Sequence, residues 1–368
     1  MASLFQRVFS RRSMIAIGLA CALTPAAVIG NAYAQKAPDG ALAHVLVLAT
    51  GGTIAGSADP RAANAYNAGK VSAEALIASV PGLDAVAVLS AEQISSIGSQ
   101  DMNDKVWFDL ASRIKAAIDS KEINGIVITH GTDTMEETAF FLDNIFDTDI
   151  PIVLVGSMRP SSAIGADGPA NLYEAVKVAA SPQSKGRGVL VVLNDTIQDA
   201  RWTQKTHTTS VETFMSPNAG PVGFVDPATI RYLAPPLPRR ASLKLPPSPP
   251  LPRVDIIYAH ANMDGAPIAD AIKRGAKGIV LAGVGDGNTS KETIDALAEA
   301  AKQGVLVVRS ARVGSGFVNR NVEVNDDQLG FVVSYDLNPQ KARILAQLLI
   351  ANGVTDIQAA QKAFAATW

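Results

Sequence analysis

Short, continuously apolar runs rich in β-branched residues recur along this chain. Val45–Ala49, Ile126–Thr129, Ile152–Val155 and Val189–Leu193 are the first four. A strand without polar alternate positions is buried on both faces, which points to a parallel sheet with helices on each side. Amphipathic patterns stand between the runs. One begins near Asn103 and places Trp107, Leu110, Ile114 and Ile118 on one face. Another opens with Thr134-Met135-Glu136-Glu137, in which Thr134 and Glu137 match a capping box. The stretch Ala234–Arg253 holds eight prolines, which remove donors and fix extended backbone, so it reads as a linker. Beyond it the alternation resumes, with Asp255–Tyr258, Gly278–Leu281 and Val305–Val308 as strands. A helix starts at Asn338-Pro339 and runs to about Ile350. A length of 368 residues favours two cores over one. The expected fold is therefore α/β in two domains. A larger N-terminal domain (41–233), mainly a parallel sheet flanked by helices, is joined through the linker (234–253) to a smaller C-terminal parallel α/β domain (254–368).

Residues 1–34 read as a targeting segment. Arg7, Arg11 and Arg12 precede an apolar run from Met14 to Gly30, and Ala32-Tyr33-Ala34 forms a small-x-small cleavage signature. The run is shorter than a spanning helix, so no membrane association is expected after cleavage near Ala34, and a periplasmic location follows. Removing the segment takes away three arginines and no acid, which moves the formal charge from -2 to -5. The single cysteine, Cys21, leaves with it, which excludes thiol chemistry in the cleaved protein. A slightly acidic balance with 5% aromatic residues supplies neither a basic surface nor stacking platforms, so no nucleic-acid partner is expected. His44, His130, His207 and His260 show no metal-ligand spacing, and neither metal nor cofactor is expected.

Four polar segments follow predicted strands: Thr50-Gly51-Gly52-Thr53, Thr129-His130-Gly131-Thr132-Asp133, Gly156-Ser157-Met158-Arg159 and Gly283-Val284-Gly285-Asp286-Gly287-Asn288. Ligands in open parallel sheets bind at the carboxyl ends of strands, and glycine lets backbone donors come close. Singly, each segment is also ordinary turn chemistry. Together with Ile97–Asp104, Leu193-Asn194-Asp195, Lys205-Thr206, Val307–Ser310 and Leu337–Arg343, in this order, they resemble the signature segments of bacterial L-asparaginases. The exported type II branch, which includes glutaminase-asparaginases, is the most similar.

That resemblance implies amide hydrolysis through a threonine nucleophile, Thr53, and an acyl-enzyme. Tyr66 would assist it, since a tyrosine of ordinary pKa about 10 is a poor base alone. Thr132, Asp133 and Lys205 would form a second catalytic set, and Ser99 and Gln100, with Thr132 and Asp133, would hold the charged ends of the substrate. Asn288 and Glu323 match residues that a neighbouring subunit inserts into the site, which implies a homotetramer. Asp286, the segment 313–321 and the missing cysteine pair depart from the common pattern. The first two leave L-glutamine open as a second substrate beside L-asparagine. On the residues alone, Thr53 is also compatible with a turn cap, Asp133 and Lys205 with a structural ion pair, and His130 with a buried structural role. Two other classes are compatible with coarse features. An exported amino-acid-binding protein would need no Thr132–Asp133–Lys205 set, and a phosphate-binding loop at Thr50–Gly56 would need a following lysine that the chain lacks.

Overall fold

The run at 45–49 is the middle of a nine-residue strand, β1 (Ala43–Gly51), the centre from which the larger sheet is built. The computed structural model describes residues 41–58, 66–237 and 243–365, so the expected signal segment with Cys21 and part of the linker lie outside the described residues. The other strands of this sheet are β2 (Ala87–Ile97), β3 (Gly125–Thr129), β4 (Ile152–Val155), β5 (Val189–Leu193), β6 (Thr196–Asp199), β7 (Gly223–Val225) and β8 (Ile230–Tyr232). Their order is β8-β7-β6-β5-β4-β3-β1-β2. Pairing is parallel from β5 to β2 and antiparallel from β5 to β8. A smaller sheet of β9 (Val254–Tyr258), β10 (Gly278–Gly283), β11 (Leu306–Ala311) and β12 (Phe331–Val333) is parallel throughout.

Alternate residues of each strand enter different cores, as the pleat requires. Leu46, Leu48, Ile126, Ile128, Ile152 and Leu154 pack on helices α1 (Asp104–Ser120) and α2 (Met135–Ile145). Val45, Val47, Val127, Val153 and Val155 pack on α3 (Gly168–Ala180) on the other face. In the smaller sheet, Ile279, Leu281 and Val307 face α4 (Ala266–Lys273) and α5 (Lys291–Lys302), while Val280 and Val308 face α6 (Pro339–Ala351). Helix α6 also packs on α2, so one apolar cluster runs from the first sheet through α6 to the second. A last helix, α7 (Ile357–Phe364), closes that cluster with Phe364.

Helix starts follow the expected chemistry where a short polar side chain is available to cap. Asn103 accepts from the amide of Val106, and Asn338 from that of Lys341, with proline next in the chain. The capping box expected at Thr134 does not form. The Thr134 hydroxyl donates instead to the Ser99 carbonyl at 2.7 Å, tying the start of α2 to the loop after β2, and no side chain caps the helix. The linker is pinned to both halves of the chain. Leu243 donates to the Asn144 carbonyl, Lys244 to Asn352 Oδ1 and Leu251 to Asp104 Oδ2.

The β5–β6 hairpin turns on Asn194 and Asp195, both left-handed at φ 53 and 61. Helix α3 holds this turn. Asn171 Oδ1 accepts from the Asn194 amide and Glu174 Oε2 from that of Asp195. Burial, followed by the hydrogen bond and charge of Asp195, pushes the Glu174 carboxyl up to about 8. Between its ordinary value and about 8, the folded protein then holds a proton that the unfolded chain has released. Stability contributed by this group is complete at acid pH and falls as pH rises through that window. Glu174→Gln keeps the shape without a titrating proton. We expect thermal melts of the variant and the parent to coincide near pH 5, and the variant to melt higher at pH 9 by roughly 3–6 °C. Equal melts at both pH values would remove this assignment.

Candidate active site

The chain leaves β1 to form β2 on one side and then crosses back to form β3 on the other. The carboxyl ends of β1 and β3 therefore flank a topological switch point, where loops diverge and leave a crevice. The loops after β1 and β3 meet there backbone to backbone. Gly52 sits at φ 80, and an added Cβ would overlap the nitrogen and Cα of Gly131. Only glycine permits both the dihedral and the approach. Gly131 in turn has no room for a Cβ against the Ser99 side chain, so the loop after β2 joins the same contact.

The residues following the two glycines are Thr53 and Thr132, both buried. Thr53 opens a single 3-10 turn, Thr53–Ala55. Below them, the Thr50 hydroxyl donates to the Thr129 carbonyl at 2.9 Å, and the Ser95 hydroxyl to the Thr50 carbonyl at 2.9 Å, lacing the three strand ends together. Lys205 enters from a short hairpin of Gln204–Lys205 and Phe214–Met215. Its Nζ donates to Thr132 Oγ1 at 2.8 Å and to Asp133 Oδ1 at 2.6 Å. The lysine is largely buried, whereas 58% of the Asp133 side chain remains accessible. An ammonium held by a carboxylate against a hydroxyl can stabilise that oxygen as it gains or loses a proton. Ser99 Oγ accepts from the Asp133 amide at 3.1 Å, so its own hydrogen can still be donated into the crevice. Gln100 is exposed and its amide bonds to Asp101.

Thr53, Thr132, Asp133, Lys205 and Ser99 thus converge. Tyr66 pairs through its backbone with Ala58, and its side chain lies outside the described residues. Asn288 and Glu323 form a second group at the smaller sheet. Asn288 Nδ2 donates to Glu323 Oε2 at 2.7 Å, and hydrogen bonds tie this pair to each other rather than to Thr132, Asp133 or Lys205.

His130 is fully buried with both ring nitrogens engaged. Nδ1 faces the Gly131 carbonyl and must be the donor, so Nε2 accepts from Thr138, whose oxygen takes the Trp107 N–H. Burial pushes the imidazolium down to about 4, which makes His130 a neutral brace beneath the second loop.

Arg309, to which the sequence gives no role beyond its place in the segment Val307–Ser310, also shapes the site. Arg309 reaches from β11 to Asp326 and to the carbonyls of Asp286, Gly287 and Asn319, fixing the loops that carry Asn288 and Glu323. A charged residue inside the run Val307-Val308-Arg309 was the available clue. Among the described residues, no three His, Cys, Asp or Glu side chains group as metal ligands, and no helix is long and apolar enough to cross a membrane. A cavity of about 370 Å³ beside the linker, lined by Phe146, Leu190, Trp202 and Leu237, contains none of the candidate residues.

Two family models match the chain. "Asparaginase, N-terminal" covers residues 44–238 and "Glutaminase/Asparaginase C-terminal domain" covers 253–364. The chain is 48% identical over 327 residues to L-asparaginase 2 of Escherichia coli, covering 88% of this chain and 93% of that protein. It is 48% identical over 312 residues to a probable periplasmic L-asparaginase of Haemophilus influenzae, covering 84% and 89%. Among solved structures, a probable cytoplasmic L-asparaginase from Campylobacter jejuni superposes with a TM-score of 0.83 at 41% identity, covering 89% of this chain and all of that one.

Proposed function

The chain belongs to the asparaginase family, and from that premise we propose that it hydrolyses L-asparagine to L-aspartate and ammonia through an acyl-enzyme on Thr53. The observation that carries this reading is the meeting of two buried threonines with a Lys205–Asp133 pair at the switch-point crevice. In the first half-reaction, Thr53 Oγ bonds to the carboxamide carbon and the C–N bond breaks. The hydroxyl proton passes through the Thr132–Lys205 relay to the departing nitrogen, which leaves as ammonia. In the second, water adds to the ester, the proton returns to Thr53 Oγ, and aspartate leaves. Tyr66 assists Thr53 in this scheme. The Ser99 hydroxyl and Gln100 receive the charged ends of the substrate, and the accessible Asp133 carboxylate takes its ammonium.

L-Glutamine turnover is the second reading. The departures from the common asparaginase pattern at Asp286 and the segment 313–321 motivate it, and the two are joined, since Asn319 donates to both Asp286 oxygens, through its amide at 2.6 Å and Nδ2 at 3.0 Å. A pocket discriminates against one methylene by only about 1–3 kcal/mol. We also read residues 41–233 and 254–368 as two domains joined by 234–253. Asn288 and Glu323 would be completed into the site by a neighbouring copy in a homotetramer, and cleavage near Ala34 would deliver the chain to the periplasm. The test is steady-state ammonia release from both amides, with acid quenching and peptide mass mapping during turnover. The reading requires release from L-asparagine and an aspartyl ester on the Thr53 peptide. An ester on another peptide, or no ammonia, would refute it.

A further inference from the structure

Lys205 stands just beyond a short segment that leaves the sheet: Ala200 still donates to the Val189 carbonyl of β5 at 3.1 Å, and after it no strand pairing holds the chain until Gln204. β6 ends at Asp199 and the next pairing begins at Gln204. Residues 201–203 between them are gripped instead by groups around β12, α6 and α7. Lys341, on the first turns of α6 and 1% exposed, donates from Nζ to the Arg201 carbonyl at 2.8 Å and to the Thr203 carbonyl. The Arg201 guanidinium, itself buried, binds Asp336 through Nε at 2.9 Å and Nη2 at 2.5 Å, and Nη2 also reaches the Phe364 carbonyl. The Trp202 indole donates to the same Asp336 carboxylate at 2.9 Å.

We propose that Lys341, together with the Arg201–Asp336 pair, is a positioning element that sets the reach of Lys205 toward Thr132 and Asp133. The assignment rests on the role given to Lys205 above. Its force comes from the cost of the arrangement. A buried ammonium is unfavourable unless every donor finds a partner, and an apolar side chain of similar length would fill the same space. Here the lysine is spent on two backbone carbonyls of one short segment, those of Arg201 and Thr203 on either side of Trp202, which fixes two peptide planes. The second of these carbonyls lies two residues before Lys205. Asp336 adds a third hold on the side chains between. The groups facing the Lys341 ammonium are Glu136, Asp199, Arg201 and Asp336, with the Phe140 ring 6.0 Å away. None of these is Thr132 or Asp133, so Lys341 acts through the segment and not on substrate.

The test is a double-mutant cycle on the full chain with L-asparagine, using Lys341→Met and Lys205→Met. A misplacement of about 1 Å in a reacting group costs on the order of 100-fold, so Lys341→Met is expected to lower kcat roughly 10- to 100-fold. KM should change less than about threefold, because the substrate contacts stay in place. In the Lys205→Met background the same substitution should cost nothing further, since the group being positioned is gone. Losses that multiply, or a Lys341→Met kcat within about twofold of wild type, would overturn the inference and leave a purely structural lysine. If Lys341→Met is insoluble, the cycle is run with Asp336→Asn, which preserves shape and weakens the hold on Arg201 and Trp202. A wild-type kcat for Lys205→Met alone would instead strike down the catalytic reading of Lys205, and this proposal with it.

Discussion

Thr53→Ala should abolish ammonia release from L-asparagine, with kcat falling at least about 10⁴-fold. The side chain is small and buried at the start of a single 3-10 turn, so its loss should cost only about 1–2 kcal/mol of stability. Far-UV circular dichroism and thermal melting should therefore report a folded protein. Thr53→Ser retains the nucleophilic oxygen and should keep a substantial part of the rate. A Thr53→Ala protein that turns over at the parental rate would place the nucleophile elsewhere, with Thr132 the first alternative at the same crevice.

The second large effect concerns stability. All five N–H groups of Arg309 have acceptors: two on Asp326, one each on the carbonyls of Asp286, Gly287 and Asn319. Neither side chain of the Arg309–Asp326 pair is exposed. Arg309→Met would leave the Asp326 carboxylate buried with the Asn321 amide as a remaining donor. Breaking such a pair from one side costs about 3–5 kcal/mol, whereas replacing both partners by apolar residues costs much less. Urea unfolding of Arg309→Met should show a loss of that size, and Arg309→Met/Asp326→Leu should recover part of it. A single-variant loss below about 1 kcal/mol would mean that water or relaxation replaces the arginine. On the proposed part of Asn288 and Glu323 in the site, activity should fall as well, because the same guanidinium fixes the loops that carry them.

The central strands were legible because their runs are short, almost wholly apolar and rich in β-branched residues, as strands covered on both faces require. Ile152–Val155 and Val189–Leu193 have the predicted bounds. β2 was not legible. It lies at the sheet edge, half accessible, and its Ser90, Glu92, Gln93, Ser95 and Ser96 interrupt any apolar run. The strands β6 to β8 are three or four residues each, too short for a period to emerge. At the site, the glycine–threonine loops announced themselves through composition and strand context. The Lys205–Thr132 bond spans 73 positions and the Lys341–Arg201 bond 140, separations at which local patterns carry no information. Thr134 shows the limit from the other side. Its local motif was right for a cap, but the Ser99 carbonyl, brought close only by the fold, took its hydroxyl.

Helix α6 is covered by the larger sheet's α2 on one side and by the smaller sheet on the other, and it follows both of them in the chain. During synthesis, Phe141 can already stack on Trp107 of α1, but the side of α2 that carries Phe140 waits for its cover until α6 has emerged. The apolar cluster shared by the two sheets is thus complete only once α6 is in place. An apolar face that waits for a partner far along the chain is open to misassembly in the interval, which makes α6 the element on which clean folding of both sheets depends.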